Sequence, residues 1–197
     1  MNTTNVFAEL LVIGLGPLTA AVLIVLIALD PAGVALTDVL GTASSLALIV
    51  PGLAATYVLG IITDRVADQA FRPPSKRIRA RYFDDNDVYH DARRTIVYHA
   101  EVMYGLRQYG RSRMRICRGW AVNAVLLIIP ANIFMIGATT DLGMLFVVNG
   151  LLMATLLGTV FSWRSLAHSE YRKVKGGAEF IRNELAAASR SAIRLHD

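Results

Sequence analysis

The chain has 197 residues, 54% of them hydrophobic and only 18% charged, with a mean hydropathy of +0.46. That is too apolar for an ordinary water-soluble domain of this length and points to the membrane class. One cysteine, Cys117, excludes an intrachain disulfide and a cysteine-rich metal centre.

The distribution of charge says more than the formal total of +5. All 20 lysines and arginines fall in two blocks, 13 within residues 65–119 and 7 within residues 164–194, and residues 1–64 and 120–163 contain none. Bases concentrate on the cytoplasmic side of membrane proteins. The segregation therefore predicts an all-α polytopic protein with four transmembrane helices, both termini inside, and a helical cytoplasmic domain. That domain is built from the insert between spans two and three and from the C-terminal tail. The N-terminus lacks the basic region of a signal peptide, and its apolar run is longer than a signal's, so the first run reads as a retained span.

Residues 1–64 form the first hairpin, with spans at about 7–29 and 43–63. Twenty-odd apolar residues at about 1.5 Å rise match a hydrocarbon core of about 30 Å. Gly14, Gly16 and Pro17 bend span one or admit a close neighbour. Glu9 is its only charge, either a carboxylate that snorkels to the interface or one facing a pore mouth. Residues 30–42 read as a loop with two acids and no base. In span two, Gly52, Thr56 and Gly60 recur every fourth residue and mark a helix-packing stripe.

Residues 65–119 are the basic insert. Asp68 and Arg72 are spaced to pair along a helix that continues past the membrane, and Pro73-Pro74 is expected to end it. Lys76, Arg77, Arg79 and Arg81 follow as a basic cluster. Asp84-Asp-Asn-Asp87 reads as a helix N-terminus. The periodicity predicts one helix over about 87–109, with Val88, Ala92, Ile96, His99, Met103 and Leu106 on one face. Gly105 and Gly110 read as possible breaks. Asp87, His90 and Asp91 share a helical face that could hold a divalent ion, but two further ligands are missing, and an acidic N-terminal patch is the simpler reading.

Arg107, Arg111, Arg115 and Arg118 lie in one stripe at about 100° per residue. Three readings stand side by side: a topological anchor touching anionic lipid headgroups, a partner-binding face, and a site for a phosphorylated ligand gripped by guanidinium forks. Tyr104 and Tyr109, with Tyr98, lie among these bases and could stack on nucleobases.

Residues 120–163 form the second hairpin, with spans at about 120–138 and 142–163. Asn123, Asn132 and Asn149 are an unusual polar load for such spans. Asn123 and Asn132 lie on opposite sides of an ideal helix, so at least one faces protein or water. With Glu9 they are the pore-lining candidates. Trp120 and Trp163 fit an aromatic belt. In the tail, residues 164–197, Gly176-Gly177 is expected to loosen the chain. Ile181, Leu185, Ala188, Ala192 and Leu195 then recur at heptad-like spacing.

No nucleophile elbow, Walker loop, zinc-protease motif or dinucleotide fingerprint is present, so no catalytic residue, cofactor or metal is expected. Tyr57-Val-Leu-Gly-Ile-Ile-Thr-Asp64-Arg65-Val-Ala-Asp68, with Gly110-Arg-Ser-Arg-Met-Arg-Ile-Cys-Arg118 before a polar span, resembles a group of uncharacterised bacterial four-span inner-membrane proteins. In architecture the chain also resembles channel-like membrane effectors of anti-phage systems. That resemblance implies a homo-oligomeric channel gated when a cytoplasmic basic domain senses a nucleotide or oligonucleotide. The alternative is a membrane scaffold that recruits a cytoplasmic protein partner.

Overall fold

A computed structural model of the chain describes residues 3–29, 45–99, 101–138 and 142–194, with side chains described at 4 and over 6–29, 49–98, 110–137 and 142–187. Among these residues the chain forms five helices and no strand: α1 (Thr3–Leu29), α2 (Ser45–Arg79), α3 (Asn86–His99), α4 (Glu101–Ala138) and α5 (Leu142–Arg194). The expected loop at residues 30–42 and the tip at residues 139–141 lie outside the described residues.

Four of the helices, α1, α2, α4 and α5, are long and apolar enough to cross a membrane. Three outrun that need. At about 1.5 Å per residue, the 53 residues of α5 make a rod of about 80 Å, against a hydrocarbon core of about 30 Å.

The chain divides into two compact units, residues 1–71 with 115–163, and residues 72–114 with 164–197. The first holds α1 and the apolar stretches of α2, α4 and α5. Its tightest packing is between α1 and α2. A Cβ added to Gly14 would run into the carbonyl of Thr56, and one added to Gly60 into the carbonyl of Leu10. Backbone meets backbone there because neither residue carries a side chain, which is how apolar helices gain contact where hydrophobicity gives none. Thr56 belongs to this crossing and is buried, and its hydroxyl donates to the Gly52 carbonyl at 2.7 Å. A Cβ on Gly52 itself would meet nothing. The packing stripe of span two is therefore Thr56 and Gly60, answered by Gly14.

The second unit has an apolar core of Phe83, Ala92, Ile96, Val174, Ala178 and Ile181, with Tyr82, Tyr89 and Tyr171 against it. Asp85 starts α3: its carbonyl accepts from Tyr89 N–H, and Asp87 sits in the first turn beside the positive end of the dipole. Tyr82 Oη and His168 Nδ1 lie 3.0 Å apart. Arg182 reaches Asp91 at 2.6 Å, which engages one of the three residues weighed as a metal set.

Several boundaries differ from expectation. Pro73-Pro74 does not end α2, which runs on to Arg79. The pair takes the helical donors from the Gln69 and Ala70 carbonyls, but Gln69 and Ala70 are both exposed, so those oxygens are met by polar surroundings and the helix runs on. The single helix expected over 87–109 is two, since α3 ends at His99 and α4 begins at Glu101. Of the expected apolar face, Ala92 and Ile96 are buried but Val88 is exposed, while the His99, Met103 and Leu106 side chains lie outside the described residues. Gly105 and Gly110 do not interrupt α4, nor do Gly176 and Gly177 interrupt α5. One glycine costs a helix about 1 kcal/mol, which a long helix with a packed face absorbs. Gly177 is itself buried. In the tail, Ile181 is buried, Leu185 is exposed and the later heptad positions lie outside the described side chains.

Candidate functional site

Pro17 creates a polar demand inside the first unit. It has no N–H, so the carbonyl of Ile13, four residues earlier in α1, loses its helical donor. An unmet carbonyl is expensive in an apolar interior. Asn123 of α4 supplies the donor: its Nδ2 lies 2.7 Å from the Ile13 carbonyl oxygen. The amide is 0% exposed. It reaches the carbonyl because Gly16 has no side chain where the amide lies, and Gly119 likewise leaves room for Ile13. The other end of the amide, Oδ1, is buried with no hydrogen-bond partner.

Nearer the polar end of the same helices lies a set of charges. Arg115 on α4 stands between two carboxylates, with Nη1 3.4 Å from Glu9 of α1 and Nε 3.5 Å from Asp64 of α2. Glu9 and Asp64 are nearly withdrawn from solvent, at 8% and 13% side-chain exposure. One turn along each helix, Arg118 Nη1 meets Asp68 at 2.7 Å. Spacing explains the match. Asp64 and Asp68 are four apart on α2, and Arg115 and Arg118 are three apart on α4, so each pair forms one face. A buried charge persists when it is paired, so this set fixes α1, α2 and α4 to one another.

A third polar contact joins α4 to α5. Asn132 and Asn149 exchange amide hydrogen bonds at 2.9 and 2.8 Å. Each Nδ2 also donates to the carbonyl four residues back, Ile128 and Leu145 respectively. Thr155 and Thr159 return their hydroxyls to carbonyls of their own helix. Trp163 is not part of an exposed aromatic belt. It is 4% exposed and packs edge-on against Phe71, with centroids 4.7 Å apart.

The structure thus brings together two residues of the predicted arginine stripe, Arg115 and Arg118, and turns both toward carboxylates. Arg111 is exposed and also has a partner. The side chains of Arg107, Tyr104 and Tyr109 lie outside the described residues. The four pore-lining candidates do not share one site: Glu9 is on Arg115, Asn123 on Ile13, and Asn132 on Asn149. Sequence reasoning missed Asp64 as a partner of Arg115 and assigned Asp68 to Arg72 instead of Arg118. The signal was present as two acids and two bases at matching helical spacing. The chain matches no family model, no curated protein and no solved structure.

Proposed function

We propose that the chain is a scaffold subunit of the bacterial inner membrane, with both termini in the cytoplasm, that presents its basic helical unit to a protein partner with an acidic surface. One observation carries this reading: the buried carboxylates and the Asn132 and Asn149 amides of the apolar unit are met within it, Asn123 Oδ1 and Arg118 Nε being the buried exceptions among the described residues, whereas several exposed bases of the second unit are left over. Arg94, Arg172, Lys173 and Lys175 are exposed and, among the described residues, have no hydrogen bond, ion pair or ring contact. Exposed cations without counter-charges steer anionic partners and raise encounter rates.

The channel reading stands second and is favoured by α5. None of the most apolar stretch of that helix is buried, while the corresponding stretches of α1 and α4 are each one-third buried. Neighbouring copies around a symmetric centre could use that surface, with gating by a nucleotide or oligonucleotide at the basic unit.

Reconstitution into liposomes separates the two. The scaffold reading expects no ion flux with or without nucleotides, and salt-sensitive capture of an acidic polypeptide such as polyglutamate. Neutralising Arg94, Lys173 and Lys175 together should abolish the capture. Flux that depends on an added nucleotide, with no capture, rejects the scaffold in favour of the channel.

A further inference from the structure

We propose that Arg72, Lys76, Arg77 and Arg164 bind the phosphate of anionic phospholipids where α2 and α5 pass from apolar to basic sequence. All four are exposed and, among the described residues, none of their side chains has a hydrogen bond, ion pair or ring contact. Their own helices offer no counter-charge nearby. Asp68, the last acid before this stretch of α2, is held by Arg118, and no acid follows until Asp84. On α5 the first acid is Glu170, which lies beside Gly110.

The level of these residues follows from one ring contact and from the backbone at the proline pair. Phe71 and Trp163 pack ring to ring, so the next residues on their helices, Arg72 and Arg164, emerge at a common height. Pro73 and Pro74 then remove the helical donors of the Gln69 and Ala70 carbonyls. Both residues are exposed. Backbone oxygens without a donor do not stand in hydrocarbon, so this turn belongs in the headgroup layer.

The ligand has to be amphipathic. Immediately before the bases, α2 exposes Val58, Ile62 and Val66, and α5 exposes Leu157, Val160 and Phe161. A lipid places acyl chains on such faces and its phosphate at the bases; a free phosphate has no use for them. Arginine holds phosphate oxygens bidentately, and Lys76, one turn from Arg72, adds a mobile point charge.

This inference rests on the chain being membrane-embedded, and the test keeps the two apart. The full chain, purified in detergent, is titrated with phosphatidylglycerol or phosphatidylcholine of matched acyl chains, and bound lipid is counted by native mass spectrometry. Glycerol phosphate is the competitor without chains. The expected result is retention of phosphatidylglycerol, reduced about fivefold for each base removed among R72Q, K76Q, R77Q and R164Q. Phosphatidylcholine should be unaffected, and R94Q/K173Q/K175Q should bind phosphatidylglycerol as the parent does. If the fourfold variant misfolds, R72Q and R164Q alone give the same reading, with folding checked by circular dichroism. Undiminished phosphatidylglycerol binding in the variants overturns the proposal, as does displacement by glycerol phosphate at the lipid's own concentration. Release of the parent protein from membranes by alkaline washing overturns the membrane reading itself.

Discussion

The two units handle charge in opposite ways. The apolar unit contains three bases and six acids, the basic unit seventeen bases and nine acids. In the first, two of the three arginines meet carboxylates that are mostly buried or lie one turn from one that is. In the second, the ion pair of Arg182 with Asp91 is half exposed on both sides, and many bases face solvent. The difference follows from surroundings. Unpaired charge is costly in a low-dielectric interior and cheap in water. Polar residues in the apolar unit are therefore read first as structure, and the leftover cations of the basic unit as the place where partners bind.

The sharpest way to break this contrast is Arg115→Leu. It leaves Glu9 and Asp64 buried without their shared cation, and removing one partner of a buried pair costs about 3–5 kcal/mol. Unfolding in a mixed-micelle titration should show the loss. Adding Glu9→Gln and Asp64→Asn should recover most of it, because the two carboxylates that lost this cation are then gone. A triple variant no better than Arg115→Leu alone would mean that the arginine acts through packing.

Ile96→Ala asks the same question of the other unit. Ile96 is 1% exposed in the aromatic-lined core, and such a truncation costs about 2–5 kcal/mol. Hydrogen exchange should quicken in α3 and in the stretch of α5 around Val174. It should stay slow around the Gly14–Gly60 crossing if the units open independently. Equal quickening in both would show that they unfold as one.

Asn123→Leu should cost about 2 kcal/mol, since it strands the Ile13 carbonyl. Here the cause can be isolated. Pro17→Ala restores an N–H to α1, so Asn123→Leu should be much milder in that background. An equal penalty in both backgrounds would sever the link between the proline and the amide.

How much of this could be read from the chain depends on whether the signal was local. The spans were legible because apolar runs and the confinement of bases are one-dimensional patterns. The Gly14–Gly60 crossing was half legible: small residues at every fourth position announce close packing, yet nothing in the spacing told that Gly52 would stay open. The ion pairs were not read, because Glu9 and Arg115 are 106 positions apart and each looks alone in its own segment. The prolines and glycines of the basic unit misled for a related reason. Their local cost is about 1–3 kcal/mol, and long helices that bury a continuous face overcome it, as α5 does through Trp163, Val174 and Ile181.

The smallest expected effect tests the rule most closely. Asn132 and Asn149 satisfy one another across α4 and α5, but each amide also has a carbonyl of its own helix within reach. Losing one partner therefore strands little, and interhelical hydrogen bonds in membranes average only about 0.6 kcal/mol. Asn132→Leu and Asn149→Leu should each cost about 1 kcal/mol or less, and the double variant no more than either. The coupling energy from a double-mutant cycle should fall below about 2 kcal/mol. A coupling as large as that of Arg115 with its carboxylates would mean that neutral amides are held under the same constraint as charges. It would also hold the apolar stretch of α5 in the bundle as firmly as those of α1, α2 and α4, although none of its most apolar stretch is buried.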